Sequence, residues 1–281
     1  MKTIYTDQHR LRDAQTELYG GELVKPFERP SRADTVIAAV RDSDLGPVEA
    51  PDDFPLDPVL RVHDADFVSF LESAWEEWKQ TGYKGEAIAS VWPARRMQCR
   101  VPRFIEGKMG YYALAAETTI TEGTWAAALA SKDVGLTGAK ALVSGEKGVF
   151  SLCRPPGHHA EPTQGMGFCL FNSVAIGAEH ARQAHGAERV AVMDFDVHHG
   201  NGTQAMFWNE PGLFYASTHQ WPLYPGTGDK NETGAHGNIA NAPLWPGAGS
   251  DDFRTAMRDV VLPAMKNFGP DLILISAGFD A

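Results

Sequence analysis

The run Asp194-Phe-Asp196-Val-His198-His199 sets two carboxylates and an imidazole at alternate positions. On an extended segment, residues two apart point the same way, so all three side chains can face one point at a strand end. Asp196 and His198 offer the oxygen and nitrogen donors that Zn²⁺ or another divalent metal takes. Two ligands do not complete a site. Asp280, at another expected strand end, is the best third. An Asp₂His set leaves an open position, as a catalytic zinc requires. The competing reading is that these acids only cap backbone groups after the strand. The attached His198-His199-Gly-Asn-Gly run tilts the balance to a metal.

A second pair, His158-His159, follows Pro155-Pro-Gly157. Pro-Pro-Gly makes a stiff turn in which no helix forms. Adjacent imidazoles held there can reach one substrate atom from two sides. A neutral imidazole removes a proton from an attacking water, and an imidazolium returns one to a leaving amine. Gly165-Met-Gly167-Phe168 can bring backbone and an aromatic ring close to a substrate as a channel wall. Gly200-Asn-Gly202 is not a phosphate loop, because no Lys-Ser/Thr follows it. Ser151 lacks a nucleophile-elbow context, and Cys153 ends an apolar run as a buried, inert thiol.

Four apolar runs deliver these residues. Gly148 to Cys153 leads into Arg154 to His159, and Arg189 to Met193 into Asp194 to His199. Leu213 to Ala216 leads into Ser217-Thr-His219, and Leu272 to Ile275 into Ser276 to Asp280. Together with Thr3 to Thr6 they predict strands of a mainly parallel sheet. Ligands in open α/β sheets bind at the carboxyl ends of strands, so one shared site is expected. Helices are expected from a Ser31 cap to Ser43, over Asp64–Gln80, and from a Thr124 cap to Val143. Further helices are expected over Asn172–His185, closed by Gly186, and over Asp251–Phe268, kinked at Pro263.

The chain has 281 residues, 43% of them hydrophobic, which rules out a mainly disordered protein. It has no long apolar run and no apolar signal core at its start, so neither a membrane span nor secretion is expected. Cys99, Cys153 and Cys169 are too few and too scattered for a disulfide framework. A cytoplasmic setting is the expectation. A net charge of −11 disfavours general nucleic-acid binding and suits a cationic substrate.

Four motifs carry a resemblance. Arg154-Pro-Pro-Gly-His-His-Ala160, Gly165-Met-Gly-Phe-Cys169, Asp194 to Thr203 and Gly278-Phe-Asp280 resemble the zinc-dependent deacetylases that include the histone deacetylases. Thr16 to Leu23, Gly82 to Glu86 and Ile105 to Tyr112 are similar to the bacterial acetylpolyamine amidohydrolases among them.

The resemblance implies an arginase–deacetylase α/β fold, with residues 1–281 as one deacetylase domain. It implies zinc on Asp196, His198 and Asp280, with Fe²⁺, Co²⁺ or Mn²⁺ also fitting the ligands. His158 and His159 become the tandem catalytic histidines, with His159 as general base and acid. Asp194 bonds His158 and shares a monovalent cation, K⁺, with Ser217. Asn201 orients His159. Gly167 and Phe168 line the acyl channel, and Glu106 meets a substrate ammonium at its mouth. A loop near residues 16–30 contributes to a homodimer.

Residues 165–173 depart from the Gly-Gly-Tyr-Cys-Phe-x-Asn-Asn pattern of close relatives. The family's Gly-Gly-Tyr motif, whose Tyr stabilises the oxyanion, has no match in residues 1–281. The expectation drawn is a domain short of its C-terminal part and impaired in turnover. The function expected is hydrolysis of acetylated polyamines. Its rivals are a protein-lysine deacetylase and a zinc-dependent acetyl-amine binder with little turnover. An arginase-like ureohydrolase ranks low, because its two-metal cluster needs paired acidic motifs at separate strand ends.

Overall fold

The computed structural model describes residues 1–94 and 98–280. In chain order its strands are β1 (Lys2–Ile4), β2 (Glu17–Tyr19), β3 (Glu22–Val24), β4 (Val48–Glu49), β5 (Val149–Ser151), β6 (Val190–Asp194), β7 (Leu213–Gln220), β8 (Ile239–Leu244) and β9 (Leu272–Ser276). Its α-helices are α1 (Pro30–Asp42), α2 (Ala65–Gln80), α3 (Ile105–Tyr112), α4 (Thr124–Val143), α5 (Ser173–His185), α6 (Asn201–Phe207), α7 (Ser250–Ala256) and α8 (Leu262–Phe268). Among the described residues no helix is long and apolar enough to cross a membrane.

The expected parallel architecture is present as two sheets. One runs β4-β1-β5 and the other β8-β7-β6-β9, and every neighbour pair in both is parallel. The pair β2-β3 is a separate antiparallel hairpin. β6 reads Val-Ala-Val-Met-Asp because it sits between β7 and β9 with apolar clusters on its two sides. Strands covered on both faces are nearly continuous in apolar residues, which is why this run was legible.

β7 extends four residues beyond the expected end at Ala216. Ser217, Thr218 and His219 are polar, yet each is paired in the ladder with β8 and buried. β8 itself was not expected. Its Ile-Ala-Asn-Ala-Pro-Leu sequence is poor in strand formers, and Pro243 is tolerated because β8 lies at the sheet edge.

The helix ends correct two capping expectations. α1 begins at Pro30, so Ser31 lies inside it, and Arg29 stands at its cap without a side-chain bond. Proline is pre-organised for a first helical turn, and that preference displaced the serine. α4 starts at Thr124 behind Gly123, and the Thr124 hydroxyl accepts from Thr121 N–H at 2.8 Å. Asn172 does cap α5, accepting from Ala175 N–H at 3.1 Å, and Gly186 closes it at φ 74°. The late helix is interrupted as Pro263 requires: a π-helical turn over Met257–Val261 separates α7 from α8.

Candidate metal centre and active site

β6 delivers its motif directly into the site. The strand ends at Asp194, and Asp196 and His198 lie on the bends that follow it rather than on extended backbone. Asp194 Oδ1 accepts from Asp196 N–H at 3.1 Å, and Asp196 Oδ1 accepts from His198 N–H at 2.7 Å. The two acids therefore do cap the backbone, as Asx turns do. Each keeps its second oxygen for the site, so capping and ligation are compatible.

Asp280, carried past the end of the neighbouring β9, joins them. One ligand atom from each of Asp196, His198 and Asp280 lies within 4.8 Å of the others. His198 Nδ1 is 3.0 Å from Asp196 Oδ1 and 3.7 Å from Asp280 Oδ2. Two carboxylates and an imidazole converging on one point fit a divalent metal. Gly278 makes the approach possible, because a Cβ there would run into the Asp196 carboxylate. Burial acts to raise the Asp196 carboxyl, but the hydrogen bond from His198 and the charge of His158 prevail and bring it down to about 2. It is thus kept in the ionised form a metal needs.

The tandem histidines stand beside this set with their rings 4.0 Å apart, centroid to centroid. His158 Nδ1 is 3.0 Å from Asp194 Oδ2, and its Nε2 is 3.9 Å from Asp196 Oδ2. His159 Nδ1 is 2.9 Å from Asn201 Oδ1 at the start of α6. The two imidazoles are driven in opposite directions. Burial acts to lower His158, but hydrogen-bonded Asp194, with Asp196 and Asp280 near, raises it to about 9. Burial, reinforced by the charge of His158, holds His159 well below the usual imidazole range. The surroundings favour the charged form of one ring and the neutral form of its neighbour, the split expected of an acid–base pair.

Gly167, expected with Phe168 to line a channel, lies against the His159 ring. Gly167 and Phe168 both have positive φ, 56° and 64°. A Cβ at Gly167 would overlap the His159 ring, so the backbone can lie against that imidazole only as glycine. Phe168 is an outlier for a bulky residue, held by bonds from Gly167 N–H to Glu117 and from Phe168 N–H to Thr118 Oγ1. Asp194 and Ser217 are register partners across β6 and β7, both fully buried. The Ser217 hydroxyl is 2.9 Å from His219 Nδ1.

Glu106 lies in the first turn of α3 and accepts from the exposed Tyr83 hydroxyl at 3.1 Å. Among the described residues, none of its hydrogen bonds reaches the histidine cluster. Two residues that do reach the cleft were not singled out from the sequence. Tyr224 stands 5.2 Å from the His159 ring and 6.2 Å from the His198 ring, edge-on to both. Glu117 accepts from its hydroxyl at 3.3 Å. The signal for Tyr224 was its place in the Tyr-Pro-Gly loop after a site-bearing strand. Glu117 sits in a Thr-rich loop with no spacing to mark it. Cys153, expected to be buried, is half-buried, and its surroundings raise its thiol to about 12.

A parallel α/β fold whose strand ends gather an Asp₂His set and two histidines points to the zinc-dependent deacetylase and amidohydrolase class. The model of the histone deacetylase domain matches residues 26–281, and the chain belongs to that family. An acetylpolyamine amidohydrolase of Mycoplana ramosa is 44% identical over 286 residues, covering 100% of this chain and 83% of that protein. Acetylpolyamine amidohydrolase 2 of Pseudomonas aeruginosa is 41% identical with the same coverage. The crystal structure of an acetylpolyamine aminohydrolase from Burkholderia pseudomallei superposes with a TM-score of 0.93 at 33% identity, over 100% of this chain and 82% of that one.

Proposed function

We propose that the protein hydrolyses the acetyl amide of small cationic amines, acetylpolyamines, with residues 1–281 acting as one deacetylase domain. The observation that carries this reading is the tandem pair: two adjacent histidines with rings tilted 44° to each other, one raised and one lowered, beside a three-ligand metal set. Asp196, His198 and Asp280 would hold the ion, Zn²⁺ by family. When bound, it supplies Lewis-acid polarisation of the amide carbonyl and acidifies water.

The chain's own residues handle the protons. His159, neutral and with Nδ1 engaged by Asn201, offers Nε2 to take a proton from the attacking water. It returns that proton to the departing amine nitrogen. His158, held as a cation by Asp194, stabilises the negative charge that develops on the carbonyl oxygen. Phe168 and Tyr224 flank an alkyl chain, and Glu117 at the Tyr224 hydroxyl gives a cationic nitrogen its counter-charge. Asp194 and Ser217 serve a monovalent cation. The exposed Tyr19, Leu23 and Phe27 around the β2–β3 hairpin support a homodimer.

The test is a turnover panel on the Zn²⁺-loaded protein with N-acetylputrescine, N-acetylspermidine and an acetyl-lysine peptide, with His159→Ala as control. Preference for the peptide would move the assignment to a protein deacetylase.

A further inference from the structure

We propose that Glu161 is a positioning residue that fixes the tautomer of His159, by deciding which end of the Asn201 carboxamide faces the imidazole. Glu161 lies two residues after His159 and has no place in the chemistry described above.

A carboxamide has nearly the same shape when turned over, but its two ends do opposite things: the oxygen accepts and the nitrogen donates. With Oδ1 toward His159, the imidazole must carry its proton on Nδ1, and Nε2 keeps a free lone pair. With Nδ2 toward His159, Nδ1 must accept, the proton sits on Nε2, and the ring is no base toward the metal site. The 2.9 Å contact between His159 Nδ1 and Asn201 Oδ1 is compatible with catalysis only in the first arrangement.

His159 cannot choose between the two by itself, because a neutral imidazole adapts to either. The choice comes from the other side of Asn201. Its Nδ2 donates to Glu161 Oε1 at 2.7 Å. A carboxylate only accepts, so turning the amide over would set Oδ1 against Oε1 with no proton between them. The remaining neighbours of Nδ2, Met166 Sδ at 3.2 Å and the His159 carbonyl at 3.5 Å, are also acceptors, but longer and uncharged. The short charge-assisted bond dominates. Asn201 and His159 are both buried, which denies solvent the chance to satisfy a reversed amide.

Glu161 is itself held in place. Its Oε2 accepts from Gln164 Nε2 at 3.1 Å, and its N–H donates to the Gln164 carbonyl at 3.0 Å. Its carbonyl is 3.0 Å from His63 Nδ1. His63 Nε2 accepts from Asn172 N–H at 3.0 Å, so His63 Nδ1 carries the proton and donates to Glu161. The orientation therefore runs from a fixed backbone through a fixed carboxylate and the amide to the base.

The kinetic consequence rests on His159 being the base; the tautomer itself does not. The experiment is ¹⁵N NMR of histidine-labelled protein, reading the His159 tautomer from its two ring-nitrogen shifts, alongside kcat and KM. The wild type shows Nδ1–H. Glu161→Ala shifts His159 toward Nε2–H and lowers kcat by about 10–100-fold at unchanged KM, a part of the 10²–10⁴ that a general base contributes. Glu161→Gln, whose carboxamide oxygen still accepts, restores the Nδ1–H form. Asn201→Asp in the Glu161→Ala background also restores it, because either carboxylate oxygen accepts from Nδ1.

An Nε2–H wild type, or an Nδ1–H tautomer kept in Glu161→Ala, overturns the proposal. So does a Glu161→Ala tautomer that neither the Gln nor the double variant brings back. Correct tautomers without acetyl-amine turnover would instead count against the proposed function and leave this assignment standing.

Discussion

Arg32 and Asp280, 248 residues apart in sequence, form an ion pair of 2.8 Å from Nη2 to Oδ1. It joins α1 to the most exposed of the three candidate metal ligands. The guanidinium takes one carboxylate oxygen and leaves Oδ2 toward His198 at 3.7 Å. A partner of this kind sets a ligand's orientation, and its loss typically costs about 10–100-fold in metal affinity. Arg32→Ala is expected to weaken Zn²⁺ binding by that factor, measured by chelator competition. Unchanged affinity would remove Arg32 from the site.

Gly167→Ala introduces two penalties at once. A residue with a Cβ at φ 56° is strained, at about 1–3 kcal/mol, and the methyl meets the His159 ring. The expected result is a lower melting temperature together with a reduced kcat. Wild-type values for both would show that the backbone does not pass against the imidazole.

The two acids proposed for the substrate cation separate by mutation. Glu117 touches the cleft through Gly167 N–H and the Tyr224 hydroxyl, whereas Glu106 is bonded to Tyr83 on the surface. Glu117→Gln is expected to raise KM for an acetylated diamine several-fold more than Glu106→Gln does. The reverse order in steady-state kinetics would return the role to Glu106.

The fold also carries a pH dependence away from the metal ligands. Burial lowers His63 to about 4 from the free value of 6.5. Protonation would also end its acceptance of the Asn172 N–H bond. Between those two pH values the unfolded chain binds the proton and the folded chain does not. The stability tied to His63 is therefore complete above about pH 6.5 and is lost as pH falls toward 4. That pKa difference corresponds to about 3 kcal/mol. Urea unfolding at pH 4 and pH 7 should show His63→Phe with a pH dependence smaller by that order. Identical dependence in variant and wild type would contradict the buried neutral imidazole.

Where the site was legible in the sequence, one physical constraint dominated. Val190 to Met193 is apolar because both faces of β6 are covered, and the polar residues that follow mark its end. Asp196, His198, His158 and His159 could thus be placed from local spacing, and Asp280 from its place after another such run. The edge strand β8 was invisible because its Ala, Asn and Pro residues are poor strand formers, although Ile239 and Ala242 pack into the core. Glu117, Glu161 and Arg32 were missed for another reason. Each acts through a side chain that arrives from a distant or irregular segment, and no periodicity announces it. Tyr224 similarly owes its position to a loop packed against His159.

Acetate release from N-acetylputrescine is the decisive measurement. Zn²⁺-loaded protein should release acetate. Activity should fall by about 10²–10⁴-fold in His159→Ala, which removes the base but no metal ligand. Metal content should stay at the wild-type level in that variant. Acetate release unaffected by His159→Ala, or by stripping the metal, would contradict a metal-dependent deacetylase with His159 as its base.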